Sequence, residues 1–471
     1  MASRTAATRI GGRVLAGIVG LAASACVVGA VLTVSPAGAH TTAASRTVTP
    51  VPATAIAACP GPLLSLASGA QGSALSATGT PSVSSGGGTQ SPGSSTLSAA
   101  DITGGGTAPR AFQQPAPKSG GSPLLAAAQS SSARTAELSG FAATNCVQPD
   151  YDSWLVGGAT SLGSTTLVVL SNPGDVAATV DLDVYDEQGL VQASGGQGVP
   201  VQPHSQHVVP LAGLAPNASA TAIHVTSTGG TVTAHLQESH LTGITPQGVE
   251  WVAPTAPPAS HLVIPGAVLD TTALSGGGAS DSGDGGVAVL RVLPVGKTDA
   301  KLSIGVKPES GKKAGSALSV TVDHGVVSEV PLDRLASGTY TITVDSTAPI
   351  VGGVTTSTVS KQGTDFTWYD AAQPLTGATA IPLAAGAGKV VHLVNTSGSA
   401  VTVRFGGPTT WTAKIPAGGT VAKALSVNGV LSTTNAQGVY ASVSYASSGM
   451  LASYVGYPTG AAASSLTVYG R

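Results

Sequence analysis

The chain has 471 residues, of which 9% are charged, and its formal net charge is −2. This balance excludes a polybasic surface for nucleic acid or anionic lipid. Valine, threonine, serine and glycine abound, whereas the helix formers glutamate, lysine, arginine and methionine are scarce. The composition therefore predicts an all-β protein and argues against a long helical architecture.

The N-terminus carries an export signal. Three arginines precede an uncharged apolar stretch at residues 14–34, which as a helix would span about 31 Å, enough for a bilayer core. The small residues Ala37–Ala39 that follow are typical of a signal peptidase site. Two interpretations stay open: a signal peptide at 1–39, cleaved near Ala39, or an uncleaved anchor helix at 14–34. Both place the rest of the chain outside the cytoplasm.

Two cysteines remain in the exported part, Cys59 and Cys146, because Cys26 lies inside the apolar stretch. Exported proteins oxidise such thiols, and two thiols permit one connectivity. We predict a Cys59–Cys146 disulfide, which would stabilise the fold by about 4 kcal/mol through loop closure.

The region at 40–150 is predicted to be a spacer followed by low-complexity sequence. Residues 40–55 read as an extended spacer. Residues 66–135 contain too few large apolar side chains to offset their ordering entropy, so most of them are expected to be mobile. Only the apolar ends, Pro62–Leu64 and Leu124–Leu125, are expected to pair as strands near the disulfide.

From Tyr151 onward, short alternating Val/Thr-rich runs predict many β-strands. The sequence at 209–215 recurs at 330–336, and a more degenerate copy begins at 390–395. Each unit offers about seven candidate strands with short connections, which predicts tandem immunoglobulin-like antiparallel sandwiches. The predicted units span 160–256, 286–374 and 387–471.

One hairpin has a predicted register. A two-residue turn at Gly229–Gly230 would place Ile223 opposite Leu236 and His224 opposite His235. Apolar residues then pair with apolar ones, as a half-buried hairpin requires.

Facing histidines are weak metal candidates. A zinc site needs a third ligand of fixed geometry and groups that orient the ligands, and Thr343 replaces His224 in the second unit. We therefore expect His224 and His235 to be solvent-facing strand residues, with no metal or other cofactor.

Motifs of catalysis are absent from the sequence: neither Gly-x-Ser-x-Gly nor His-Glu-x-x-His nor a phosphate-binding loop occurs. The carboxylate pairs Asp181/Asp183 and Asp281/Asp284 have spacings that are common on solvated strands and loops. We predict no catalytic residue.

Aromatic residues suggest a sugar contact. Tyr440, Tyr445 and Tyr454 are expected to fill the core of the last unit. Trp411, next to a Gly-Gly-Pro turn, is the preferred candidate for an exposed glycan contact.

The N-terminal segment, the Cys-Pro-Gly-Pro element at Cys59–Pro62 and the β units with strands such as Val209–Ala215 resemble an uncharacterised actinobacterial cell-envelope family, classed as a domain of unknown function. The resemblance implies an envelope location and tandem β units, and it transfers no catalytic residue.

These observations predict a non-catalytic exported cell-envelope protein with a structural or interaction role. Its partner would be a cell-wall polymer or another envelope protein, with membrane contact through residues 14–34. The alternative is a carbohydrate-binding module for cell-wall polymers, and an exported hydrolase is a second, less favoured alternative. Fold alone does not choose among them.

Overall fold

The computed structural model describes residues 45–48, 53–66, 75–88, 90–103, 107–118, 122–270, 288–310, 315–332, 335–360, 363–458 and 466–469. The backbone alone is described at 45–48 and 466–469. The apolar stretch at 14–34 and the predicted cleavage site at Ala39 lie outside these ranges. Within the ranges, no helix is long and apolar enough to cross a membrane.

The chain divides into two compact units. The smaller consists of Met1–Val51 and Ala463–Arg471, where strand β1 (Ser45–Val48) pairs antiparallel with β35 (Leu466–Tyr469). The larger consists of Pro52–Ala462 and holds all the other described strands. The described residues form strands, loops and two short 3-10 turns without an α-helix, which confirms the predicted all-β class.

The larger unit contains four repeats of one two-sheet plan, which is clearest in the second repeat (residues 152–252). Its strands are β11 (Asp152–Val156), β12 (Ser164–Asn172), β13 (Ala178–Asp186), β14 (Gly189–Leu190), β15 (Val199–Val201), β16 (Ser205–Pro210), β17 (Ala222–Gly229), β18 (Thr233–Thr242) and β19 (Thr245–Val252). One sheet has the order β11-β17-β13, with β14 and β15 along β13, and the other has the order β16-β12-β18-β19. Both sheets are antiparallel.

Alternation along these strands builds the core of the second repeat. Val180, Leu182 and Val184 of β13 are buried between polar neighbours that point outward. They pack against Val168 and Leu236 of the opposite sheet. Because side chains alternate along a strand, each strand gives one face to the core and one to its surroundings.

The third repeat (residues 259–370) follows the same plan with two strands fewer. Its strands are β20 (Ala259–Leu269), β21 (Ala288–Pro294), β22 (Ala300–Pro308), β23 (Ser316–Val322), β24 (Ser328–Leu332), β25 (Gly338–Ser360) and β26 (Gly363–Asp370). The first half of β25 pairs with β20 and β22, and its second half pairs with β21 and β26. The two halves of this one long strand therefore correspond to β17 and β18 of the second repeat.

The fourth repeat (residues 379–455) has the same sheet order. Its strands are β27 (Thr379–Leu383), β28 (Lys389–Asn395), β29 (Val401–Phe405), β30 (Trp411–Ile415), β31 (Gly419–Ala424), β32 (Gly429–Thr433), β33 (Val439–Ser447) and β34 (Met450–Val455). The strand order β31-β28-β33-β34 matches β16-β12-β18-β19 of the second repeat. The paired strands β27-β32 and β29-β30 form the other layer.

The first repeat (residues 55–146) lies in the region that composition predicts to be low-complexity linker. Its strands are β2 (Ala55–Ala58), β3 (Leu63–Leu66), β4 (Leu75–Thr78), β5 (Ser82–Gly86), β6 (Gly93–Thr96), β7 (Ile102–Thr103), β8 (Arg110–Gln114), β9 (Ala126–Arg134) and β10 (Ser139–Cys146). The orders β2-β8-β6 and β5-β9-β10 match β11-β17-β13 and β12-β18-β19. An inserted sheet, β3-β4-β7, contains a parallel pair, β4 with β7.

The expectation that most of residues 66–135 is mobile is therefore wrong for the described part of that stretch. Leu75, Leu97 and Phe112 are buried there. Much of the remaining interior is alanine, as in β9, so two sheets can pack closely with few large side chains. The predicted pairing of the apolar ends is also wrong, because β3 pairs with β4.

The Cys59–Cys146 disulfide is present, with Cα atoms 4.2 Å apart across a sequence separation of 87 residues. Cys59 follows β2 and Cys146 ends β10, so the bond ties together the two layers of the first repeat. Both cysteines are buried with Phe112 and Leu125. The prediction is confirmed.

The predicted hairpin register around Gly229–Gly230 is wrong. Strand β17 pairs with β11 and β13, whereas β18 pairs with β12 and β19, so the chain crosses from one sheet to the other at these glycines. Ile223 and Leu236 do share one core, but they lie on opposite sheets. Alternation predicts which side chains are buried, and it does not distinguish strands side by side from strands face to face.

The four repeats meet through their last strands. Strand β10 packs against β19, β19 against β26, β26 against β34, and β34 against β10, which closes a ring. We call these four strands the axial ring. The first repeat is thus a member of the ring, placed between the second repeat and the fourth.

Candidate functional site

Each strand of the axial ring has a glycine with positive φ within it or directly before it: Gly140, Gly248 and Gly363 lie within β10, β19 and β26, and Gly449 directly precedes β34. At three of them, Gly140, Gly248 and Gly449, the neighbouring atoms leave no room for a side chain. A Cβ on Gly140 would lie 2.6 Å from Asp365 Oδ1, and one on Gly248 would lie 2.6 Å from Phe366 Cδ1. Only glycine permits this approach, so the ring is built around a close contact with Asp365.

The Asp365 carboxylate accepts hydrogen bonds from all four strands of the ring. Its Oδ2 accepts from the backbone N–H of Phe141 at 3.1 Å and of Leu451 at 3.2 Å. Its Oδ1 accepts from Phe366 N–H at 3.1 Å, and the backbone N–H of Val249 is a further donor. One side chain therefore links the first, second, third and fourth repeats.

A second carboxylate lies in the same ring. Glu250 Oε1 accepts from the backbone N–H of Ala143 at 3.3 Å and of Trp251 at 2.8 Å. The Thr367 hydroxyl is a further partner of Glu250. Glu250 of β19 thus joins the second repeat to the first and the third.

Both carboxyl groups are buried, and this controls their charge. Burial raises the pKa of Asp365 to about 8, because loss of hydration outweighs the backbone N–H donors, which lower it. Burial also raises the pKa of Glu250 well above its ordinary value, and the charge of Asp365 raises it further. Neither group is open to solvent.

Other polar side chains join neighbouring repeats. Arg291 of the third repeat donates to the carbonyl oxygens of Gly158, at 2.7 Å, and Thr221 in the second repeat. The Arg291 guanidinium also lies over the Trp368 ring, 4.6 Å from its centroid, and pairs with Glu329 at 2.7 Å. Buried charge is thus used at the repeat junctions, where each group has partners.

The structure does not bring the two candidate metal ligands together. His224 stacks on Trp154, with centroids 4.2 Å apart, and its Nε2 lies 3.2 Å from Asp152 Oδ2. His235 is buried on the other sheet, where its Nε2 lies 3.1 Å from the carbonyl oxygen of Asn145. Burial lowers the pKa of His235 to about 4. Among the residues that the structure describes, no cluster of three metal-ligating side chains occurs.

The carboxylate pairs weighed for catalysis have local partners or fall outside the described ranges. Asp181 Oδ1 accepts from Gly198 N–H at 2.7 Å, and Asp183 Oδ1 accepts from the Gln197 side chain at 3.1 Å. Both stabilise the connection after β14. The second pair, at positions 281 and 284, lies outside the described residues.

The candidate glycan contact, Trp411, is half-buried. One face of its ring stacks on Phe405, with centroids 5.2 Å apart and an interplanar angle of 19°. Tyr445 and Tyr454 are buried in the same repeat, with their hydroxyl oxygens 3.0 Å apart, whereas Tyr440 is half-exposed.

An open groove on the third repeat was not predicted from the sequence. It has a volume of about 530 Å³ and lies across β22, β23 and β25. Side chains with hydroxyl or charged groups line much of it, among them Lys301, Ser303, Thr321, Asp345 and Thr347. They come from three separate strands, so only their pairing brings them together.

A family model described as a family of unknown function, DUF5719, matches residues 103–428. The match covers more than half of the chain, running from the first repeat into the fourth, and the chain belongs to this family. The predicted resemblance to a domain of unknown function is confirmed.

No curated protein matches the chain. Among solved structures, it is similar to one titled "Biofilm associated protein - BSP domain", at 12% sequence identity and a TM-score of 0.13. That alignment covers 72% of this chain and 64% of the other, so this chain spans less than two thirds of that structure.

Proposed function

We propose that the chain is an exported cell-envelope protein with a structural or interaction role, in which four β repeats form one rigid head. The observation that carries this proposal is the Asp365 carboxylate, which accepts N–H groups from the last strand of every repeat. A fourfold junction of this kind favours a fixed presentation of outer loops and edge strands over movement between repeats.

The buried acids support the same role. Asp365 and Glu250, whose pKa values burial raises, are sealed in the axial ring. Groups with shifted pKa values often mark catalytic sites, but ion networks that join structural elements produce such shifts as well. We attribute the raised pKa values of Asp365 and Glu250 to their burial in the axial ring.

The partner would meet the outer edges of the repeats. Strand β23 has mostly exposed residues, and among the described strands it pairs on one side only, with β22. An edge of this kind can add a strand from another chain through main-chain hydrogen bonds. Another envelope protein is therefore the partner class that we propose first.

Cell fractionation tests the location and the partner together. The full chain, tagged at its C-terminus, would be expressed in its own host, cross-linked on intact cells and recovered from each fraction. We expect envelope or extracellular recovery and discrete cross-linked protein species. Replacing Leu318 and Val320 of β23 with proline should remove cross-links that use this edge, since proline cannot donate to a strand ladder. Recovery in the cytoplasm would overturn the proposal.

We infer a second candidate function, binding of a cell-wall polysaccharide, from the groove on the third repeat. Its lysine, aspartate and hydroxyl groups are suited to hydrogen bonds with sugar hydroxyls. Calorimetric titration with soluble cell-wall fragments would compare Thr321→Ala with Trp411→Ala. A loss confined to Thr321→Ala supports the groove, a loss confined to Trp411→Ala moves the site to the fourth repeat, and no binding by the unaltered chain rejects this function.

A further inference from the structure

A serine, a histidine and a glutamate form a hydrogen-bonded chain at the surface of the second repeat. Ser164 of β12 lies directly opposite His240 of β18 in the strand register. The Ser164 Oγ is 3.0 Å from His240 Nδ1, and His240 Nε2 is 3.0 Å from Glu238 Oε1. The imidazole thus bridges a hydroxyl and a carboxylate, one through each ring nitrogen.

The far end of this chain is fixed by buried groups. Glu238 Oε2 accepts from the backbone N–H of Gly158 at 2.9 Å and from the indole N–H of Trp368 at 2.8 Å. The Phe366 ring packs edge-on against His240, with centroids 4.6 Å apart. The carboxylate and the imidazole are therefore held in one orientation, which a base must have before it can take a proton.

The charge of Glu238 also suits His240 to act as a base. Burial by itself would raise the pKa of Glu238, but the hydrogen bond from His240 and the nearby positive charges hold it below its ordinary value. An ionised Glu238 stabilises a protonated His240.

Exposure within this hydrogen-bonded set is lowest at the acid. The Glu238 side chain is 3% exposed, that of His240 is 32% exposed, and Ser164 is half-buried. A similar set, Ser444, His392 and Glu309, links the third and fourth repeats. There the serine and the histidine are both buried, so no substrate reaches that hydroxyl.

The loop before Ser164 contains two backbone N–H groups without a backbone acceptor in the described residues. They belong to Leu162 and Gly163. Backbone N–H groups beside a nucleophile can stabilise the oxyanion formed in acyl transfer.

Two apolar side chains are exposed in the turns next to β12 and β18. Leu162 is 104% exposed, and Ile244, in the turn between β18 and β19, is 92% exposed. In the proposal below, these two exposed side chains would contact an apolar substituent on the ligand.

We propose that Ser164 is a nucleophile for esters with an apolar acyl chain, with His240 as its general base and Glu238 as the residue that positions His240. This activity goes beyond the proposed structural role and does not depend on it. The Ser164 oxygen forms a bond to the carbonyl carbon while its proton passes to His240. The alcohol then leaves with that proton as the carbon–oxygen bond of the ester breaks. Water, deprotonated by His240, then attacks the acyl carbon; the bond to the Ser164 oxygen breaks, His240 returns its proton to that oxygen, and the acid is released.

A fluorophosphonate probe tests the nucleophile directly on the full chain. The Ser164 oxygen would displace fluoride from phosphorus, leaving one covalent adduct that intact-mass measurement and peptide mapping locate. We expect the adduct on Ser164 and not on Ser444. Ser164→Ala and His240→Gln should abolish it. Ser161→Ala is the matched control, because that hydroxyl lies only 3.5 Å from Ser164 Oγ and should not be needed.

Glu238 needs a readout that separates positioning from folding. Glu238→Gln should slow labelling at least tenfold while the far-ultraviolet circular dichroism and the melting temperature of the chain are retained, and Glu238→Asp should restore part of the rate. If Glu238→Gln does not fold, the labelling of His240→Gln decides whether the proposal holds. No adduct on the folded, unaltered chain, or equal labelling of Ser164→Ala, would overturn the proposal.

Discussion

Asp365 in the third repeat accepts a hydrogen bond from the backbone N–H of Phe141 in the first repeat, 3.1 Å away and 224 residues earlier in the chain. The contact lies across the axial ring, and the same carboxylate also accepts from Leu451 of the fourth repeat. The first and last repeats are thereby joined through the third. The four repeats form a closed assembly with an acid at its centre.

Removal of this acid should destabilise the whole larger unit. Asp365→Ala leaves backbone N–H groups of Phe141, Val249 and Leu451 buried without their acceptor, and each such loss costs about 1–3 kcal/mol. Asp365→Asn keeps one acceptor oxygen and should cost less. Denaturant unfolding measures both, with the surface variant Asp299→Ala as the control. Equal stability of Asp365→Ala and the control would contradict the junction.

The stability of the chain should fall as pH rises from about 4 to about 8. Burial raises the folded-state pKa of both Asp365 and Asp370 to about 8. In this window the folded state binds protons that the unfolded state has released, so the free energy of unfolding decreases with pH. The contribution is fully present below the unfolded pKa and is lost through pH 8. Unfolding curves at pH 5 and 8.5 check the sign, and Asp370→Asn should flatten the dependence.

A comparison of two glycines in the axial ring separates the cost of steric crowding from the cost of a positive φ. Gly248 and Gly363 have nearly the same φ, +128° and +126°, but a Cβ would meet Phe366 and Asp365 at Gly248 and nothing within 4 Å at Gly363. Both alanine variants incur the cost of positive φ, about 1 kcal/mol. Gly248→Ala should lose clearly more stability in thermal unfolding. Equal losses would mean that the ring can widen at this point.

Loss of the Cys59–Cys146 disulfide should weaken the first repeat before the others. Loop-closure entropy predicts a cost of about 4 kcal/mol. Hydrogen exchange of the Cys59→Ser/Cys146→Ser variant should show faster exchange in β2, β8 and β10, with smaller changes in β21 and β22 of the third repeat. Uniform exchange across all repeats would show instead that they unfold only together.

Sequence reasoning reached the fold class, the disulfide and the family, because each depends on residue types close to the feature in question. It missed the first repeat, whose interior uses alanine and serine in place of large apolar residues. A usable signal was present: the last strands of the second and third repeats contain a glycine, Gly248 and Gly363, and β10 of the first repeat contains Gly140.

The axial site was beyond sequence reasoning for a different reason. Asp365 acts on backbone N–H groups of residues such as Phe141 and Leu451, and the identity of a residue does not show where its N–H points. The pairing of Ser164 with His240 depends in the same way on the register of β12 with β18. The predicted hairpin paired β18 with β17, so β12 was not recognised as the strand that lies beside His240.

A truncation at residue 148 tests the central claim most directly. If residues 40–147 were only a stalk, the remaining chain would melt at the same temperature as the full exported protein. The closed ring predicts otherwise, because truncation removes β10 and with it the N–H groups that Phe141 and Ala143 donate to Asp365 and Glu250. Calorimetry of the two chains side by side should show a lower, broader transition for the truncated chain. An unchanged, single sharp transition would contradict the four-repeat account.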